Sequence, residues 1–149
     1  MFPSPRKTDM IGRLGELFVY HWLKARLPSQ DIDRAWISGN STVITGRPGD
    51  DSKGYDFEID YRRQKWFIEV KASTGDPCSF EMGETELRRA REVAQSRAGQ
   101  RYVIAYIGNV GSPRDVVVAM LPNPMSAEAD GVINVVGQGI RYAFAKKDF

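Results

Sequence analysis

From residue 55 to residue 72 large apolar side chains alternate with charged ones at a period of two, the spacing at which successive side chains on a strand reach opposite faces. The stretch reads "GYDFEIDYRRQKWFIEVKAS". In its first half Tyr55, Phe57, Ile59 and Tyr61 fall on one side and Asp56, Glu58 and Asp60 on the other. In its second half Trp66, Ile68, Val70 and Ala72 share a face, and Phe67, Glu69 and Lys71 share the opposite one. Two strands joined through residues 62–65 follow, with Tyr61 opposite Trp66, Glu58 opposite Glu69 and Asp56 opposite Lys71. A loop that shifted the pairing by one residue would turn acids onto the apolar side.

Upstream, the period changes to that of a helix. Thr8 or Asp9 can cap a helix running to about Leu27, ended by Pro28. Ile11, Leu14, Phe18, Trp22 and Ala25 form one apolar stripe and Val19, Leu23 and Leu27 a second, which predicts a largely buried helix. Gly12 and Gly15 predict close approach to another backbone. A strand is expected over 32–38, a loop over 46–54, and a second helix opened by Gly83 and Glu84, with Leu87, Ala90, Val93 and Ala94 inward and Gly99 at its end. "RYVIAYIG" and "DVVVAML" read as buried strands, and "GIRYAFAK" as an edge strand within a tail, 122–149, of uncertain structure. The sum is a single domain, loose over 1–8, of α/β class with a mixed sheet.

Composition narrows the chemistry. At 149 residues the chain can bury one core without disulfides, and its lone cysteine, Cys78, cannot form an internal bridge; a reducing cytoplasm is the expected compartment. A single histidine, His21, excludes His/Cys zinc clusters and histidine-dependent nucleases. No apolar run reaches the ~20 residues that cross a bilayer, so no membrane is expected as partner. The net charge of +2 permits an acidic polymer as partner without requiring one.

The crowded acids of the hairpin have two readings. They can be a solvated sheet face, kept soluble with Arg62, Lys65 and Lys71. Alternatively Asp56 and Glu69, diagonal neighbours about 7 Å apart, bracket a hard divalent cation, and Lys71 orients or deprotonates a water beside it. Glu16 is the second oddity, an acid three, four, seven and eleven positions before Val19, Tyr20, Leu23 and Leu27. Pairing with Arg13 or Arg26 at the surface is the plainer account of it.

"GYDFEID" and "IEVKAS" resemble the signature of the PD-(D/E)XK phosphodiesterase superfamily: an acid, here Asp56, opening one strand, then acid-any-lysine, here Glu69 to Lys71, on the next. "GRLGELFVYHWL" is similar to the superfamily's first helix, and "FEMGETELRRA", with Phe80 and Glu86, to a branch related to the C-terminal domain of the NO VEIN protein. The resemblance covers about residues 11–107. Tyr55 stands where a proline often precedes the first acid, and the later helix lacks an evident glutamine. What the resemblance implies is a restriction-endonuclease-like three-layer fold with core order αβββαβ. It implies a Mg²⁺-dependent endonuclease, Mn²⁺ being a substitute, that cleaves DNA in restriction, defence or repair. Glu16, Asp56, Glu69 and the Val70 carbonyl would ligate metal, and Lys71 would steer the attacking water. Lys53, Lys65, Arg88, Arg89 or Arg91 would meet phosphates. Such a small module suggests a homodimer, or a partner or fused domain. The rival readings are a catalytically silent nucleic-acid-binding or scaffold module, and a hydrolase of RNA or a smaller phosphodiester.

Overall fold

The computed structural model describes residues 5–96, 99–136 and 141–145. Helix α1 spans Pro5–Arg26 and the one-turn α2 spans Ile32–Ala35. A second one-turn helix, α3, is Thr42–Thr45. Strands β1 (Phe57–Tyr61) and β2 (Gln64–Ala72) make the hairpin, and β3 is Ser79–Glu81. Helix α4 (Glu84–Gln95) leads to β4 (Gln100–Gly108) and β5 (Val117–Leu121). Strands β6 (Ile133–Val136) and β7 (Arg141–Phe144) follow.

Four strands form the main sheet in the order β1-β2-β4-β5, with β2 and β4 parallel and the outer pairs antiparallel. The parallel pair requires a crossover, and α4 supplies it. Alternate residues of β4 feed two separate cores. Tyr102, Ile104 and Tyr106 join Phe67, Ala90 and Val93 on the α4 side, while Val103, Ala105 and Ile107 join Val19, Leu23, Phe57 and Ile68 on the α1 side. The domain is therefore α/β, a mixed sheet flanked by helices. Among the described residues no helix is long and apolar enough to cross a membrane.

The hairpin turns on Arg62 and Arg63, both at positive φ (52° and 64°), which is the two-residue turn whose twist suits a hairpin. Tyr61 consequently pairs with Gln64 and Ile59 with Trp66, a shift of two residues from the expected register. A shift of two preserves the faces but changes every partner. Glu58 lies opposite Phe67, and the same register continued by one residue sets Asp56 opposite Glu69 rather than Lys71. Tyr55 also departs from its expected row: it precedes the strand and packs on Phe67, ring centroids 4.6 Å apart, on the acidic side.

Other expectations are corrected by local chemistry. Residues 32–38 are not a strand, because the Asp31 carboxylate accepts the Arg34 N–H and caps α2, leaving Ile32 and Trp36 one helical turn apart and both buried. Trp36 pairs with the sheet through an isolated bridge to Phe57. The core order αβββαβ is thus met differently: the third strand before α4 is β3, which pairs with β7 in a separate sheet of order β3-β7-β6. That sheet absorbs the described part of the tail, and its "RYAF" strand is central in it rather than an edge. Helix α1 is buried along one face only, through Gly15, Val19, Tyr20 and Leu23; Leu14 and Ala25 are exposed. In α4, Ala90 and Val93 are buried but Ala94 is not, and the helix ends at Gln95, before Gly99.

Of the two helix glycines only Gly15 makes the close approach. A Cβ there would stand 2.5 Å from the Ala72 Cβ and 3.3 Å from the Val70 Cγ1, whereas nothing lies within 4 Å of one at Gly12. Gly15→Val is therefore expected to cost about 1–3 kcal/mol through overpacking. Gly12→Ala should gain up to about 1 kcal/mol from helix propensity. Urea denaturation of both variants checks the pair, and equal stabilities would contradict this packing of α1 on β2.

Candidate active site

Asp56, Glu69 and Lys71 are brought to one place by the hairpin. Glu69 is buried in the middle of β2, 5% exposed, and Asp56 sits just before β1 begins. The Asp56 Oδ2 accepts the Val70 N–H at 2.8 Å, so a side-chain oxygen satisfies β2 backbone just past the end of the paired strand. The Asp56 and Glu69 carboxyls are close enough for the Asp56 charge to bear directly on Glu69. Two carboxyls this close and this dry cannot both carry charge cheaply. Burial, with the neighbouring Glu16 charge, pushes Asp56 up to about 7, although the residue keeps some exposed surface. Burial, with the Asp56 charge, likewise holds Glu69 well above the ordinary carboxylate range.

Lys71 lies two residues beyond Glu69 on the same face. Burial alone would depress its ammonium, but Glu69, Glu86 and Asp56 outweigh that and the net displacement is upward. Its Nζ donates to Glu86 Oε2 at 2.7 Å. A lysine so held carries a positive charge, the state in which it can orient a water or meet an anionic oxygen.

Glu16 reaches this neighbourhood from the α1 layer. It is buried, as its place on the stripe implied, but neither Arg13 nor Arg26 is its partner. Trp36 Nε1 donates to its Oε1 at 3.0 Å, Ser38 Oγ donates to the same oxygen, and Asn40 Nδ2 donates to Oε2. Glu16 influences Asp56 through charge while its own oxygens face the segment 36–40. Among the described residues no three His, Cys, Asp or Glu side chains are grouped so as to hold a metal ion. Of the expected ligands, Asp56 and Glu69 are brought together as a carboxyl pair, and Val70 meets Asp56 through its N–H. A hard cation fits what the pair lacks, since it would neutralise two oxygens-only ligands in a site that otherwise must hold a proton.

The other acids of the hairpin follow the plainer reading. Lys65 pairs with Glu58 at 3.5 Å and with Asp60 at 3.3 Å on a partly exposed sheet edge, where such pairs add little stability. Lys65 is thereby engaged away from the carboxyl pair. Of the basic residues considered for phosphate, Arg89 donates through Nε to the Lys53 carbonyl at 2.9 Å and lies over the Tyr55 ring at 5.5 Å, holding the approach to Asp56 against α4. Arg88, Arg91 and Lys53 are exposed.

Sequence reasoning missed the companions. Trp36, Ser38 and Asn40 share a spacing of two in the sequence and nothing there ties them to Glu16. Glu86, marked in the sequence only by its place in "FEMGETELRRA", joins Lys71. Tyr102, whose hydroxyl donates to the Gly54 carbonyl at 2.7 Å, is raised by burial and by the charges of Glu69, Glu86 and Asp56, and so borders the site unannounced.

A raised carboxyl makes the folded state the better proton binder. Between the ordinary carboxylate value of 3.8 and about 7, Asp56 is protonated in the folded chain and ionised in the unfolded one. Stability on this account is fully present below pH ~4 and declines as pH rises towards 7, with Glu69 acting in the same direction. Asp56→Asn should flatten that decline and gain about 1–3 kcal/mol at pH 8. Urea melts of wild type and variant at pH 5 and pH 8 measure it, and parallel pH profiles would refute the shared-proton account.

Residues 15–119 match the family model described as Protein NO VEIN, C-terminal. No curated protein and no solved structure matches the chain. Most of the chain, including Glu16, the hairpin, α4 and β4, falls within the matched span, and the protein belongs to the NO VEIN C-terminal family.

Proposed function

We propose that the chain is a divalent-cation-dependent nuclease that hydrolyses phosphodiester bonds of DNA, on a restriction-endonuclease-like variant of the α/β fold. The observation that carries this reading is the buried Asp56–Glu69 pair with the Lys71 ammonium beside it. Mixed charge in this arrangement is expensive to fold around unless it is used, and its elements match the acid, acid-any-lysine order of the PD-(D/E)XK superfamily.

Asp56 and Glu69 would hold Mg²⁺, or Mn²⁺ in its place. When bound, the ion supplies an activated water and neutralises charge on the scissile phosphate. Lys71 contributes a fixed positive charge towards the non-bridging oxygens or the attacking water, in a site dry enough for that charge to count. Glu16 sets the local field behind Asp56. Arg88, Arg91 and Lys53, exposed near α4 and the loop before Asp56, are the candidates for backbone phosphates. A role in restriction, defence or repair, in the cytoplasm and beside a partner domain or second copy, accords with a small module of this kind.

One observation favours the rival reading of a silent nucleic-acid-binding or scaffold module. Glu16 is already satisfied by Trp36, Ser38 and Asn40, so the third ligand of the expected set is turned aside.

Cleavage of supercoiled plasmid and of single-stranded DNA with Mg²⁺ or Mn²⁺ distinguishes the two. Wild type should nick, and Asp56→Asn, Glu69→Gln and Lys71→Ala should each lose about 100-fold or more, the scale of removing a group that stabilises charge in a transition state. Calorimetry should show Mn²⁺ binding that Asp56→Asn abolishes. A folded wild type that neither binds Mn²⁺ nor cleaves would leave the scaffold reading in possession.

A further inference from the structure

A lysine is a poor instrument for placing charge. Its ammonium rides on a four-carbon stem with about 2 kcal/mol of rotamer entropy to lose, and nothing in its chemistry directs it. Misplacement by about 1 Å can cost roughly 100-fold in rate. Strand β2 fixes only where the stem of Lys71 starts.

What fixes its end is on α4. Glu86 lies in the first turn of that helix, and its Oε2 takes two donors: the Gly83 N–H at 2.9 Å and the Lys71 Nζ at 2.7 Å. Because one oxygen serves both, Glu86 cannot follow Lys71 to another rotamer without leaving the amide at the helix start. The ammonium is referenced to the helix rather than to its own strand. The pair is largely buried, with side chains 17% and 24% exposed, so the contact is not the loosely held kind found at a surface. The same turn also grips the other arm of the hairpin. Arg89 holds the Lys53 carbonyl, and Gly54, at φ +83°, lies so close to α4 that a Cβ there would be 2.7 Å from the Thr85 carbonyl oxygen. The start of α4 thus fixes both the approach to Asp56 and the tip of Lys71.

We propose that Glu86 is the positioning residue of the site: it places the Lys71 ammonium beside the Asp56–Glu69 pair. This rests on the nuclease reading for its consequence in rate, but not for the placement itself.

The experiment has two arms. In the first, reductive methylation of the native protein followed by mass spectrometry compares the labelling rate of Lys71 in wild type, Glu86→Gln and Glu86→Ala. Glutamine keeps an oxygen that can accept from both donors, so Lys71 should stay nearly as protected as in wild type, while Glu86→Ala should label several-fold faster. In the second arm, kcat and KM for Mg²⁺- or Mn²⁺-dependent cleavage are measured on the same three proteins. Glu86→Ala should lose about 10–100-fold in kcat, the scale of an outer partner of a reacting group, with KM within about twofold, and Glu86→Gln should recover most of it.

Unchanged labelling of Lys71 in a folded Glu86→Ala protein overturns the proposal, as does full kcat in that variant. If Glu86→Gln is as impaired as Glu86→Ala in both arms, the oxygen contact is not what matters and the proposal also falls. Should wild type cleave nothing, the nuclease reading fails by itself, and the labelling arm still decides whether Glu86 places Lys71.

Discussion

Two carboxyls that cannot both be charged and dry stand opposite one another in the β1–β2 hairpin, and the arrangement around them is organised by that constraint. Asp56 resolves part of its demand by accepting the Val70 N–H, and Glu69 part of its own through the nearby Lys71 charge. What remains is a deficit of positive charge, which shows as the raised proton affinity of Asp56 and Glu69. A protein selected only for stability would replace such a pair with apolar residues of similar volume, often at no cost.

The supports come from both faces of the sheet. The α4 layer supplies Glu86 and Arg89 from one helical turn, and the α1 layer supplies Glu16. For α1 to deliver an acid this deep it must lie against β2, which Gly15 permits by having no side chain where Ala72 and Val70 stand. The two cores on either side, each built from alternate residues of β4, fix these layers independently. Position at the site is thus inherited from packing some distance from it.

How much of this the sequence carries depends on the range of the interaction concerned. The hairpin's two faces are written in its period of two, and so are the identities of Asp56, Glu69 and Lys71. Its register is not, because Arg62-Arg63 is an uncommon pair for a turn that needs positive φ twice, and nothing in the residue types separates it from a four-residue loop. Residues 32–38 misled for a similar reason: the apolar Ile32, Ala35, Trp36 and Ile37 read as a strand although a capping aspartate at 31 closes a single helical turn. Glu16 was conspicuous as an acid on an apolar stripe, yet its partners are 20 to 24 residues away in the connection between α2 and α3, so no local pattern could name them. Glu86 met Lys71 across 15 residues for the same reason.

The position of Glu16 also bears on what a buried acid can be taken to mean. Its place on the stripe invited a metal, but Trp36, Ser38 and Asn40 account for its burial without one. A carboxylate offers acceptors only, and donors arriving at both oxygens satisfy it as a cation would. In exchange Glu16 ties the segment 36–40 to α1, while Trp36, stacked between Tyr20 at 4.9 Å and Phe57 at 5.5 Å, ties the same segment to the sheet. Glu16 therefore has a sufficient structural reason to exist. Among the described residues Asp56 and Glu69 have no such set of donors: what meets them is one backbone N–H, one another and the charge of a lysine held by a different acid. Packing accounts for Glu16 but not for that pair, on which Glu16 bears through the charge it adds behind Asp56.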